Sequence, residues 1–213
     1  MLDLRRVLAL DLSTKTGWSV GESSDQGYRM VAHGQVPKVA CPAGQYPDNF
    51  LEWSALCFGP VSDLLDEWAP DVLVVEDTAI KPDSNALSQK ILEFIHFRVA
   101  KMVAETGIER LYLMTDEWRR LVGCEMTKAE RKQNQVVSKA KGKARALLPK
   151  GDKSVVVVKG EDGRRIGRVT RKHVNVRRAN EAFGLGLKIK DNDVADALML
   201  GLAYHEKRKR EAQ

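Results

Sequence analysis

Two carboxylates, Asp193 and Asp196, open the last apolar helix pattern of the chain, KDNDVADALMLGLAYHEKRKR from Lys190 to Arg210. Three positions apart, they share one face near the helix start. A helix needs only one capping oxygen, and Asp191 or Asn192 is placed to supply it. Asp196 lies between Ala195 and Ala197, ahead of an apolar run, where a carboxylate is partly desolvated and needs a partner. Two further carboxylates close apolar runs: Asp11 in RRVLALDLSTKTGWSV and Glu76 in PDVLVVE. If those runs are neighbouring strands, their ends bring Asp11 and Glu76 together, and a helix packed on the sheet adds Asp193 and Asp196. Four carboxylates at one point repel each other unless cations lie among them, and hard oxygen ligands suit Mg²⁺ or Mn²⁺. Two such ions about 3.5–4 Å apart can activate water and stabilise both oxygens of an in-line phosphodiester displacement.

The elements that must position these groups follow from hydrophobic periodicity. Residues 7–13 read as a strand. Ser13–Gly17 reads as a turn, Trp18–Val20 starts a second strand, and Tyr28–Val36 is a third. A Pro- and Gly-rich loop over 37–47 precedes a helix with Phe50, Leu51, Leu56, Val61, Leu64, Leu65 and Trp68, kinked at Gly59-Pro60 and ended by Pro70. Asp71–Glu76 is a buried-strand pattern of Val and Leu. A polar loop over 77–84 leads to a helix burying Leu87, Ile91, Leu92, Ile95, Val99, Met102 and Val103, closed by Gly107. Leu111–Met114 is a strand, and Thr115 caps a short helix carrying Trp118. Three strands followed by alternating helix and strand predict an α/β fold, a mixed sheet flanked by helices. Residues 125–150 are polar and helix-compatible. Val155–Val158 and Arg164–Thr170 read as a β-hairpin, and a helix spans about His173–Phe183.

Composition sets outer limits. The 213 residues carry a net charge of +6, 43% hydrophobic residues and 30% charged ones, ordinary for a globular protein with one core. No apolar run approaches the roughly 20 residues of a membrane span. Cys41, Cys57 and Cys124 are too few and too scattered for a disulfide framework, which points to a reducing cytoplasm. The charge is regional. Residues 128–172 hold 15 Lys and Arg against 4 Asp and Glu, a net of +11, whereas the remainder holds 20 against 25, a net of −5. Such a segment suits phosphate contacts. The expected organisation is one domain over 1–213 with a basic insertion at 125–172.

The early strand with Asp in LALDLSTKTGW, the Glu closing VLVVE and the late helix with DxxDA occur in an order that resembles the RuvC-like Holliday junction resolvases of the ribonuclease H-like superfamily. The resemblance covers residues 7–124 and 173–206, and the long insertion is closer to the larger phage-type relatives. It implies a ribonuclease H-like sheet, metal-binding catalytic carboxylates at Asp11, Glu76, Asp193 and Asp196, and two Mg²⁺ ions replaceable by Mn²⁺. It also implies a homodimer acting in the cytoplasm on branched DNA, a four-way junction or a three-way or fork relative. Arg119, Arg120 and Lys128 fall near where such resolvases place basic residues. Lys15, Lys81, Arg131, Lys132, Arg164, Arg165, Arg168 and Arg171 complete the expected DNA contacts. Bacterial members commonly carry an aromatic residue three positions after the strand-ending Glu; here Ala79 stands there, beside Ile80 and Lys81.

Two other readings stay open at this level. DLSTKTGW also fits the first phosphate loop of sugar-kinase-like and actin-like ATPases, although that architecture needs two such domains. A junction-binding protein without catalysis is the other reading, and the intact carboxylate set argues against it. Asp77 competes with Glu76 for the ligand role, Asp191 reads as a cap or surface residue, and His205 reads as structural.

Overall fold

The middle strand of the sheet is the first in sequence. In the computed structural model, which describes residues 2–77, 86–149, 157–159 and 163–213, β1 (Arg5–Asp11) pairs antiparallel with β2 (Gly17–Ser24). Strand β2 pairs antiparallel with β3 (Gly27–Gln35). On its other side β1 runs parallel to β4 (Val72–Asp77), and β4 parallel to β5 (Glu109–Met114). The resulting order, β3-β2-β1-β4-β5, is the mixed α/β sheet anticipated from the alternation of elements. Two compact units are present, one of Met1–Cys124 with Asn175–Gln213 and the other of Glu125–Val174.

In the first unit both faces of β1 and β4 are covered, which is why these strands are continuous apolar runs. Val7, Ala9, Val72 and Val74 pack with α6 (Asn192–Glu211), with Val176 and Ala179 of α5 (Arg171–Phe183) and with Trp118 of α3 (Thr115–Leu121). Leu8, Leu10, Leu73 and Val75 pack on the opposite side, with α1 (Asp48–Trp68) and α2 (Ala86–Thr106). Successive strand side chains alternate in direction. The same parity sends Asp11 and Glu76 to the α6 face, and Leu12 and Asp77 to the face of α1 and α2.

Helix α1 ends at Ala69, in the left-handed region at φ 40°, one residue before Pro70, as expected, and Pro60 lies inside it. Some burial expectations are corrected. Leu51, Leu56 and Leu87 are exposed. The buried stripe of α1 runs through Phe50, Ser54, Cys57, Val61, Leu64 and Leu65, and Leu51 and Leu56 flank it. No helix among the described residues is long and apolar enough to cross a membrane.

The second unit is built around α4 (Lys128–Ala146), opened by a capping box in which Thr127 Oγ1 accepts from the Glu130 N–H and the Glu130 carboxylate accepts from the Thr127 N–H. The expected hairpin is reduced to β6 (Val158–Lys159) and β7 (Arg165–Ile166), two residues each. Much of its first arm and its turn, residues 151–156 and 160–162, lie outside the described residues. Asn134 ties α4 to the following chain by accepting from the Val169 N–H and donating to the Val169 carbonyl, each at 2.8 Å.

Candidate active site

Register and parity bring the strand carboxylates side by side. Leu10 pairs with Val75 in the parallel ladder, so the next residues, Asp11 and Glu76, end neighbouring strands on the same face. Helix α6 reaches that point because Gly17, the ladder partner of Asp11, has no side chain. A Cβ there would lie 2.0 Å from the Asp193 carbonyl oxygen. Farther along, Ser19 Oγ donates to the Ala197 carbonyl at 2.9 Å, and Ser23 Oγ bonds His205 Nδ1 at 3.0 Å. At Gly201 a Cβ would meet Tyr28 Oη at 2.1 Å. These contacts lay α6 along β2 and set Asp193 and Asp196 over the strand ends. His205 is buried and serves this packing.

Each carboxylate has its own surroundings. Asp196, only 8% exposed, accepts from Asn175 Nδ2 at 2.6 Å. Glu76 accepts from the Thr115 hydroxyl. Asp193 accepts from Gln35 Nε2 at 2.7 Å and from Asn192 Nδ2, and Lys15 Nζ stands 3.8 Å away. The Arg119 guanidinium lies 4.8 Å from the Trp118 ring, and its charge acts on both Asp11 and Asp196.

The electrostatics identify the four as one cluster. Burial raises the Asp11 carboxyl well above the ordinary range, and the charges of Asp196, Glu76 and Asp193 raise it further against a smaller opposing effect of Arg119. Burial likewise pushes Asp196 up to about 7; the Asn175 bond and Arg119 oppose the rise, while Glu76 and Asp193 add to it. A site that disfavours its own negative charge gains from any cation placed within it. The donor set, four carboxylates with amide and hydroxyl groups behind them, fits a hard divalent ion. Among the described residues, no three His, Cys, Asp or Glu side chains are gathered closely enough to ligate one ion as they stand. Charges couple over longer distances than coordination bonds. Glu76, Asp193 and Asp196 each accept from a separate hydrogen-bond donor, and each carboxylate keeps further lone pairs for a cation.

Several sequence expectations change at this level. Thr115 does not cap α3; it is the first residue of that helix, and its hydroxyl is directed at Glu76. Asp191 precedes α6 without a side-chain cap bond and instead accepts from the Lys188 N–H, closing the short 3-10 turn Ile189–Asp191. Asp77 points away from the cluster and acts on His96 of α2, whose imidazole is held below its usual range mainly by burial. Gln35, Asn175 and the Thr115 contact were absent from the sequence reading, because an amide ending a strand or lying on a helix carries no spacing signal. Parity could have exposed the difference between Glu76 and Asp77.

The expected DNA-contacting residues divide between the units. Lys15, Arg119 and Arg120 belong to the first, with Lys15 and Arg119 acting on the carboxylates and Arg120 exposed. In the second, Lys128, Arg131, Lys132, Arg164, Arg165, Arg168 and Arg171 are all exposed. Arg131 also pairs with Glu125 at 3.6 Å. Lys81, with Ala79 and Ile80, lies outside the described residues. The turn after β1 closes on itself: the Ser13 N–H bonds Thr16 Oγ1 and the Lys15 N–H bonds Ser13 Oγ. Those bonds take up two of the turn's backbone donors.

A mixed five-stranded sheet with this order and these flanking helices is a ribonuclease H-like α/β fold. Among solved structures, the chain is similar to Thermus thermophilus RuvC in complex with a Holliday junction substrate, with a TM-score of 0.60 over 96% of this chain and 96% of that one, at 12% identity. It is also similar to Ydc2, the yeast mitochondrial Holliday junction resolvase, with a TM-score of 0.51 over 96% of this chain and 79% of that one, again at 12% identity. At such identity the shared property is the fold. No protein-family model matches the chain, and no curated protein matches it by sequence.

Proposed function

We propose that this chain is a divalent-cation-dependent, structure-selective DNA endonuclease that nicks phosphodiesters in four-way and related branched junctions. The observation that carries this reading is the convergence of Asp11, Glu76, Asp193 and Asp196, from two strand ends and one helix, into a single electrostatic cluster. The likeness to RuvC, solved with a Holliday junction substrate, and to Ydc2, a Holliday junction resolvase, supports the choice of substrate.

Those four carboxylates would hold Mg²⁺, or Mn²⁺ in its place, as a pair of ions. When bound, such cations make water nucleophilic at neutral pH and stabilise charge on the phosphodiester oxygens. The chain's own groups prepare the site. Thr115 holds Glu76, Gln35 and Lys15 hold Asp193, and Asn175 holds Asp196, while Arg119 offsets part of the accumulated negative charge. The exposed Lys and Arg of Glu125–Val174 grip phosphates without reading sequence. A four-way junction has two equivalent strands to cut, so a two-fold homodimer suits it.

Cleavage of an end-labelled four-way junction in Mg²⁺, beside a linear duplex and a three-way branch, tests the proposal. Paired symmetric nicks near the crossover are expected, with the duplex left intact. Asp196→Asn should abolish cleavage and keep junction binding. Binding without cleavage in both Mg²⁺ and Mn²⁺ would sink the nuclease reading in favour of a junction-binding protein.

A further inference from the structure

Asn175 is 1% exposed, between Val174 and Val176 on α5. A buried amide must satisfy three or four hydrogen-bonding positions, and an apolar residue would fill the same space without that demand. Its one side-chain bond runs from Nδ2 to Asp196 Oδ1 at 2.6 Å. A cation-bound carboxylate is ionised and only accepts, so in that state the amide must present its nitrogen to Asp196. Asn175 Oδ1 is then buried with no partner. An orphaned acceptor of this kind destabilises the fold, so packing alone gives no reason for an amide here.

Asn180, five positions along the same helix, shows what a structural amide looks like. It accepts from the Leu187 N–H at 2.9 Å and donates to the Leu187 carbonyl at 3.0 Å, so both ends are satisfied by backbone. Asn175 has one end on a carboxylate and the other end free.

We propose that Asn175 is a positioning residue for the cation site: its Nδ2 fixes the rotamer of Asp196, and its free Oδ1 accepts from water carried in with the cation. This rests on the nuclease reading above. Mg²⁺ usually keeps several of its waters, which donate and never accept, so an unpartnered buried oxygen beside a ligand carboxylate is the group they require. With Asp196 Oδ1 occupied by the amide, Oδ2 is the oxygen left to face the cation. Partners of this type, behind the ligands, commonly change metal affinity by about 10–100-fold when removed.

The test measures Mn²⁺ affinity of the whole protein by calorimetry, without DNA, for Asn175→Leu, Asn175→Ala and Asn180→Ala, each with a thermal melt. Leu fills the space of the amide; Ala serves if Leu does not fold. Either Asn175 variant should bind Mn²⁺ at least tenfold more weakly than the wild type. Asn180→Ala should lower the melting temperature and leave Mn²⁺ affinity within twofold. Wild-type affinity in the Asn175 variants overturns the proposal. So does an equal loss in Asn180→Ala, which would make the effect a general loosening of α5. A wild-type protein that takes up no Mn²⁺ overturns the nuclease reading itself and this proposal with it, and is recognisable because the parent fails as well as the variants.

Discussion

The two units of this protein use charge in opposite ways. Glu125–Val174 holds 15 Lys and Arg against 5 Asp and Glu, while the rest of the chain holds 20 against 24. The expected DNA-contacting cations of the basic unit are exposed, where a charge costs little to keep and its field extends into solvent. The carboxylates of the other unit are drawn together and partly buried, where each raises the proton affinity of the next. The first arrangement attracts a polyanion at long range; the second stores an unfavourable interaction that a small dense cation relieves. Building the two also demands different things. Exposed cations tolerate loose placement, and among its described residues the basic unit is built on α4 and a pair of two-residue strands. Carboxylates that converge from two strands and a helix need strand register, a glycine contact and hydrogen-bond donors placed beside them.

The contrast can be broken most sharply at Asp11. Asp11→Asn should lower junction cleavage by at least about 10³-fold, since metal-supported charge stabilisation is worth several kcal/mol of barrier. Junction affinity measured by gel shift should stay within about twofold, because no phosphate-gripping cation is touched. A variant that cleaves normally would remove Asp11 from the ligand set.

The mirror-image variant alters the basic unit. Replacing Lys128, Arg131 and Lys132 by Glu should weaken junction binding on the order of 10–100-fold and flatten the dependence of log affinity on log salt by about 2–3. Hydrolysis at saturating DNA should change far less than affinity. Unchanged salt dependence would show that these three residues make no phosphate contacts.

A smaller effect separates the units through pH. Asp196 takes up protons in the folded state up to about 7, well above the ordinary value of 3.8 that applies once the chain unfolds. Between these values the folded state binds more protons than the unfolded one, so this carboxyl's stabilising contribution, full below about 4, is lost as pH rises toward 7. Asp196→Asn removes that loss. Without divalent ions, the variant should melt above the wild type at pH 8, and the gap should close toward pH 4. Saturating Mg²⁺ should raise the wild-type melting temperature more than that of the variant. A gap that does not narrow on acidification would show that Asp196 is not strained by its neighbours.

Much of the layout was legible in the chain itself, because it follows from local rules. Alternation and apolar runs predict β1, β4 and β5, helical spacing predicts α1, α2 and α6, and the DxxD spacing places Asp193 and Asp196 on one helical face. The regional excess of Lys and Arg needs only counting. The capping details misled, since Thr115 and Asp191 have the right chemistry for helix caps and were claimed by closer demands, a neighbouring carboxylate and a 3-10 turn.

The order of residues along the chain says which groups exist and which element carries each: carboxylates at two strand ends and one helix start, cations in one segment. How they meet is settled by packing. Strand order placed β1 beside β4, parity turned Glu76 inward and Asp77 outward, and Gly17 let α6 approach within contact of the sheet. Asn175 and Gln35 became partners of Asp196 and Asp193 across separations of 21 and 158 residues. The reason is physical. Propensity and periodicity act over a few residues, whereas a hydrogen bond between distant residues depends on packing that no local pattern encodes.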